Sequence, residues 1–271
     1  MSTLQKIIKY LVLAFALFLI VSVSEGIIST FYGLAKGFYW DDGDKATEMS
    51  ATSFDDDSAK KLVIDIHAAQ LEIKTGDELK AETNNEDITI QQKSDVLQIK
   101  ERSHNWFENT SHSKVVVYVP EDMQFDEIQI ATGAGEVTID SLVTDVLELN
   151  LGAGEVKIDN LEVKESADID GGAGEMTIFS GSIANLDFDM GVGEADIKTK
   201  LFGECDIDMG IGELTLGIKG EKSDYAITID KGIGDYTVDG EKVHDGETIG
   251  DGNNSLQIDG GIGEAEIQFI K

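Results

Sequence analysis

The chain has 271 residues, of which 53 are Asp or Glu and 21 are Lys or Arg, giving a formal charge of −32. A field of that sign repels phosphate backbones, which excludes nucleic acid as a partner and favours cations and basic surfaces. Hydrophobic residues make up 41% and are strictly patterned, so the charge does not signal disorder; the single cysteine, Cys205, rules out an intrachain disulfide.

Residues 7–23 are almost wholly apolar, with Lys6 just before them, Lys9 within their first turn and Glu25 after. Cations preceding an apolar run predict a cytoplasmic N-terminus (residues 1–6) and an exported remainder. Extended to residue 28, the run reaches the roughly 20 residues that a bilayer-spanning helix needs. The small-x-small triplet Ser22-Val-Ser24 leaves a cleavable signal, and hence secretion, as the alternative. Phe31, Tyr32, Phe38, Tyr39 and Trp40 suit the outer interface of a membrane and favour a single-pass anchor. Residues 29–57 then read as a tether, acidic and unpatterned from Asp41 onward.

Alternation begins at Leu62: Leu62, Ile64 and Ile66 point one way and Val63, Asp65 and His67 the other, and Leu71 and Ile73 continue it. Residues 88–90, 96–99 and 115–119 are further strands, with Pro120 at the end of the set. Residues 58–124 are therefore expected to be an irregular lead-in of the same sheet system or a small antiparallel cap. Helical periodicity is absent after residue 60, so almost no helix is expected there.

From residue 125 a repeat takes over. Seven phrases recur: Gly133-Ala-Gly-Glu136, Gly152-Ala-Gly-Glu155, Gly172-Ala-Gly-Glu175, Gly191-Val-Gly-Glu194, Gly210-Ile-Gly-Glu213, Gly232-Ile-Gly-Asp235 and Gly261-Ile-Gly-Glu264. The first five start 19 or 20 residues apart, and the last two gaps are 22 and 29. Counting each phrase from its first glycine as zero, positions −5, −3 and −1 are mostly apolar (Leu147, Leu149, Leu151; Leu186, Phe188, Met190; Cys205, Ile207, Met209), and after it positions +4 and +6 are (Val137, Ile139; Val156, Ile158; Leu214, Leu216). A strand alternates with period two, so this switch of parity requires a bend at the phrase. Glycine supplies the backbone freedom for it. Each unit is expected to be two short strands hinged at the glycines and then a turn, such as Asp140-Ser141 or Asp159-Asn160. Stacked units make an all-β fold, a β-solenoid of ~20-residue repeats with parallel strands about 4.8 Å apart.

These residues resemble a known family. Leu62-Val-Ile-Asp-Ile, Leu71-Glu-Ile-Lys-Thr-Gly-Asp77, the serial Gly-[Ala/Val/Ile]-Gly-[Glu/Asp] phrases and Asp239-Gly-Glu-Lys242, behind one apolar segment, are similar to the bacterial "putative adhesin", or toast-rack, envelope proteins. The resemblance covers roughly residues 55–271. It implies a right-handed solenoid-like β fold on the cell exterior, near envelope-stress sensing modules, and carries no catalytic residues to transfer.

Stacking in register would put Glu136, Glu155, Glu175, Glu194, Glu213, Asp235 and Glu264 in one column. Two like charges about 5 Å apart repel by about 0.8 kcal/mol even in water. Such a column must splay, bond freed backbone amides, take up protons or share a cation. Asp168, Asp170, Asp187, Asp189, Asp206 and Asp208 form a second acidic grid on the outward positions of three successive units. Clustered oxygens suit calcium, although the calcium-binding nonapeptide of other β-rolls is missing, so at most a weakly bound calcium ion is expected and no other cofactor. His67, His104, His112 and His244 show no metal-ligand spacing, and the loop with Trp106, Phe107 and the triplet Asn109-Thr-Ser111 is expected to be a long hairpin. Cys205 falls in an apolar column and reads as a buried hydrophobe. Repeated rather than singular acids point to a non-catalytic interaction or scaffold module whose partner is an envelope protein or cell-wall component. A carbohydrate-active enzyme on a β-helix scaffold is the rival reading.

Overall fold

A computed structural model of the chain describes residues 49–54, 59–102 and 113–271. The segment 7–28, most of the tether, and the loop residues His104, Trp106, Phe107, Asn109 and His112 lie outside them. Among the described residues the fold is all-β, and the only helix is a single 3-10 turn, Lys222–Asp224. No described helix is long and apolar enough to cross a membrane.

Alternating apolar residues fold each unit into a rung with its apolar side inward. Leu147, Leu149, Cys205, Ile207, Val156, Ile158, Leu214 and Leu216 are all buried in one continuous core. The parity switch is real: Leu151 and Val156 flank one phrase and both face inward. Burial of each Leu or Ile contributes about 1.5–3 kcal/mol, so packing alone holds a fold without disulfides. The Cys205 side chain belongs to this core, and burial pushes its thiol upward in pKa.

Stacked parallel pairing defines nine rungs among the described residues. The segment expected to be an irregular lead-in supplies two of them. Rung 1 joins Val96–Glu101 to Lys114–Pro120, and rung 2 joins Lys61–Ala68 to Gln70–Gly76. Rungs 3 and 4 and the first half of rung 5 form one continuous bent strand, Phe125–Asp170, which Ala173–Ile178 completes. Rung 6 is Leu186–Asp189 with Val192–Phe202, and rung 7 is Glu204–Asp208 with Ile211–Lys219.

The order of the last two units departs from expectation. Glu204–Asp208 and Ile211–Lys219 pair with Asn254–Asp259 and Ile262–Ile270, so the final unit in the chain is rung 8. Tyr225–Asp230 and Tyr236–Val238 pair with the far side of those strands, so the penultimate unit is rung 9. The N-terminal end mirrors this: the first rung in sequence lies inside, at rung 2, and the second lies outside, at rung 1. A strand at a sheet edge frays and offers unpaired amides, whereas an inner strand is bonded on both sides.

The outer rungs are covered instead by antiparallel strands. Ile88–Lys93 and Lys80–Thr83 lie on rung 1, and Glu247–Ile249 and Glu241–Lys242 lie on rung 9. The last of these hairpins turns at Asp239-Gly240, both with positive φ (51° and 78°), as a two-residue loop requires. Part of the expected tether also joins the sheet. Ser50–Ser53 pairs with Lys80–Thr83, held by backbone bonds without any apolar alternation to announce it, and Phe54 N–H donates to the Leu79 carbonyl at 2.9 Å.

A third short face corrects the expected two strands and a turn. Residues 161–163 pair with 181–183, and 182–184 with 200–202, burying Leu161, Val163, Ile183 and Leu201. Its corners are made by small amides and hydroxyls. Asn160 Nδ2 donates to Ser141 Oγ at 3.2 Å, and Ser180 Oγ donates to the Asp159 carbonyl at 2.6 Å. At the next corner Asn185 Nδ2 donates to the Glu165 carbonyl at 2.6 Å, and Asn185 Oδ1 accepts from Glu204 N–H at 3.0 Å. Asn254 repeats the device across the exchanged rungs, accepting from Gly203 N–H at 3.1 Å and donating to the Asp224 carbonyl at 3.1 Å.

Candidate functional site

The Gly-x-Gly-Glu corner is the most regular feature of the surface. Its +1 amide donates to the first-glycine carbonyl of the rung below: Val192 N–H to Gly172 O (2.8 Å), Ile211 N–H to Gly191 O (2.9 Å), Ile262 N–H to Gly210 O (2.9 Å) and Ile233 N–H to Gly261 O (2.8 Å). The second glycine has φ near +150° in every phrase, and a Cβ on Gly193 would sit 1.7 Å from the Gly174 carbonyl oxygen. Glycine is therefore required by close approach as well as by torsion. These neighbour-rung bonds occupy the +1 corner amides, so of the four ways of relieving the column the one through freed amides is closed at these positions.

The structure brings the seven corner acids into one column. Glu155, Glu175, Glu194, Glu213 and Glu264 are register partners in that order. Glu136 stands below Glu155, because Gly152 and Gly154 lie on Gly133 and Gly135. Asp235 stands beyond Glu264, since the next residue, Tyr236, pairs with Ala265. Repulsion is relieved by side chains at intervals. Lys157 Nζ lies 2.6 Å from Glu155, Lys242 Nζ lies 2.8 Å from Asp235, and Gln70 Nε2 donates to Glu136 at 3.5 Å. The bond from Lys242, reinforced by its charge, holds the Asp235 carboxyl below the usual carboxylate range.

Rung 2 meets the same corner with His67-Ala-Ala-Gln70, a phrase that has lost both glycines. What faces it is a side chain: the buried Glu101 carboxylate accepts from His67 N–H at 2.6 Å and from Ala68 N–H at 3.4 Å, and lies 3.5 Å from His67 Nδ1. In the sequence this rung shows as alternating strands of the lead-in and not as a repeat unit, because its glycines are gone. The surviving signal was the apolar parity across Ile64, Ile66, Leu71 and Ile73.

The aspartate grid is also assembled. Asp168, Asp187 and Asp206 are consecutive register partners, as are Asp170, Asp189 and Asp208, and the second column continues through Asp259 to Asp230. Among the described residues no group of three or more acids, histidines or cysteines is arranged to hold a metal ion. Burial, then the charges of Asp187, Asp170 and Glu148, push the Asp168 carboxyl above the usual range, and burial followed by Asp259 and Asp189 does the same at Asp208. The folded chain thus holds these protons more tightly than the unfolded one. Their stabilising contribution is complete below the unfolded carboxylate pKa and is lost as pH rises through the raised folded values. Asp235 runs the other way, losing its contribution as pH falls through its lowered value. Thermal melts should therefore show stability rising as pH drops from 7 toward the carboxylate range before it falls in strong acid. Asp168→Asn with Asp208→Asn should flatten that rise, and an unchanged rise would show that other groups produce it.

Near rungs 2 to 5 the column face carries an open groove of about 380 Å³, lined by Asp65, His67, Thr132, Asn150, Leu151 and Asp170 among others. Asp65 is engaged by Lys100 Nζ at 2.8 Å. His244 lies far along the chain in the cap of rung 9, where its N–H donates to Glu247 at 3.2 Å.

The sequence profile described as Toastrack DUF4097 matches residues 56–259. The chain belongs to the toast-rack family. Among solved structures it resembles a "putative cell adhesion protein" from Clostridium sporogenes (20% identity, 82% of this chain and 99% of that one, TM-score 0.36). It also resembles a "putative lipid binding protein" from Parabacteroides distasonis (18%, 81% and 96%, TM-score 0.44) and a "putative adhesin" from Bacteroides fragilis (12%, 82% and 97%, TM-score 0.35). No curated protein matches the sequence. Placement in the family rests on the profile match and on the repeated corner.

Proposed function

We propose that this toast-rack chain is a non-catalytic interaction module of the cell envelope, anchored by residues 7–28 with its β-solenoid outside the membrane. The observation that carries this reading is the pair of acidic columns, repeated rung after rung with a regular backbone beneath. Catalysis by carboxylates depends on one or two acids whose surroundings differ from all others. Here the acids inside each column have another acid above and another below, so no single pair is set apart from the rest. A rigid, strongly acidic ladder is suited to holding basic surfaces of other envelope components, either adhesively or within an envelope-stress signalling assembly. The cations Lys6 and Lys9 at the N-terminal end of the apolar run, and the aromatic residues after it, support the anchored orientation.

Topology provides the test. In intact cells, a membrane-impermeant lysine reagent should label the solenoid lysines, and the chain should stay with the membrane through an alkaline wash. Labelling only after lysis would refute the exported orientation, and release by the wash would refute the anchor.

A further inference from the structure

The residue between the two corner glycines is a small alanine in the early rungs (Ala134, Ala153, Ala173) and a larger aliphatic in the late ones. In rungs 6 to 9 these side chains are Val192, Ile211, Ile262 and Ile233, which are direct neighbours in the stack. All four are exposed, at 41%, 39%, 36% and 72% respectively. They form an aliphatic stripe along the solenoid axis, three rung spacings or about 14 Å long. On one side runs the aspartate column Asp189, Asp208, Asp259 and Asp230, and on the other the corner acids Glu194, Glu213, Glu264 and Asp235. Solitary exposed aliphatics need no explanation, but a contiguous apolar row rimmed by charge on both sides has the layout of a binding strip.

Charge selects the occupant. A second copy of the chain would press its own carboxylates, within a net charge of −32, against these columns. A bilayer surface would have to desolvate both acidic flanks to reach the aliphatics. A basic amphipathic segment satisfies both features, because its apolar edge covers the stripe while Lys or Arg on either side meets the two columns. A helix of about 10 residues spans the strip at 1.5 Å per residue. We infer that the Val192–Ile211–Ile262–Ile233 stripe docks a cationic amphipathic segment of a partner protein. This rests on the interaction-module reading above and names the face and the partner chemistry.

The test uses the full 271-residue chain in zwitterionic nanodiscs, with empty nanodiscs as the blank. The probe is a fluorescein-labelled 18-residue peptide carrying a narrow leucine stripe flanked by lysines, and an oligolysine of equal charge is the comparison. Anisotropy titrations should show the amphipathic peptide binding more tightly than oligolysine. Ile211→Ser with Ile262→Ser should weaken it by about tenfold or more, the loss expected when an interface anchor is truncated. Ile233→Ser alone, at a site too exposed to affect folding, should weaken it in the same direction. Glu165→Gln with Glu204→Gln, at a different corner, should leave it unchanged. Amphipathic binding that ignores the isoleucine substitutions would overturn the stripe while leaving a general acidic surface intact. Absence of binding by either peptide would overturn both the stripe and the interaction-module reading.

Discussion

Deleting residues 253–271 is expected to unfold much more than the nineteen residues removed. In a solenoid stacked in chain order, losing the last unit would trim one end and leave the rest protected. Here the deleted unit is rung 8, with partners on both sides: rung 7 through Glu204–Asp208 and Ile211–Lys219, and rung 9 through Tyr225–Asp230 and Tyr236–Val238. Leu256, Ile258 and Ile267 are fully buried in it, and their burial alone contributes about 5–9 kcal/mol. That is comparable with the whole stability of an ordinary domain, about 5–15 kcal/mol. Rung 9 would lose its neighbour, along with the Asn254 bridge that ties Gly203 to Asp224. Tyr225, whose hydroxyl reaches the Leu201 carbonyl at 2.7 Å and whose pKa burial pushes up to about 12, would lose its covering. Pulse proteolysis of the truncated chain should cleave residues 221–252 rapidly, whereas the intact chain protects them. Continued protection of that segment would refute the exchanged order.

Gly212→Ala and Gly240→Ala should differ sharply although both glycines have positive φ, +146° and +78°. A Cβ on Gly212 would lie 1.7 Å from the Gly193 carbonyl oxygen, which is backbone and cannot swing aside, so two rungs must separate and lose corner bonds. At Gly240 a Cβ meets nothing within 4 Å. The Gly240 substitution should cost about 1 kcal/mol for torsion alone. The Gly212 substitution should cost on the order of 4 kcal/mol, torsional strain and overpacking combined. Denaturant midpoints at constant slope would measure both, and equal losses would show that torsion, not rung contact, makes the corner demand glycine.

Much of this architecture was legible in the sequence because a stacked rung constrains every position in the same way. The inward positions must be apolar, the corner must lack a Cβ, and the outward positions are left to Asp and Glu. Rung 2 reads as alternating strands and not as a repeat unit, because a side chain, Glu101, replaces a backbone neighbour and removes the demand for glycine at His67 and Ala69. Rung 1 was obscured because its two strands are separated by residues 102–113. The third face was hidden because strands as short as Gly181–Ala184 carry too few alternations to stand out from a turn. The acidic columns were foreseen as neighbours, but their relief was not, since it depends on Lys157 and Lys242 reaching across to Glu155 and Asp235.

The amino-acid pattern alone determined that this chain is an all-β stack with glycine corners, which side of each strand is buried, and that acids line its outside. These follow from period-two alternation and from the contact distance between adjacent backbones. Which rung lies on which was decided only in three dimensions. Rungs 3 to 9 present the same apolar columns and the same glycine corner, so any one of these can pair with any other, and the local pattern does not distinguish them. Room for the exchanged order comes from the wider phrase spacings of 22 and 29 residues, the second of which includes the antiparallel cap strands of rung 9, and the exchange leaves the first and last units among the described residues bonded on two sides.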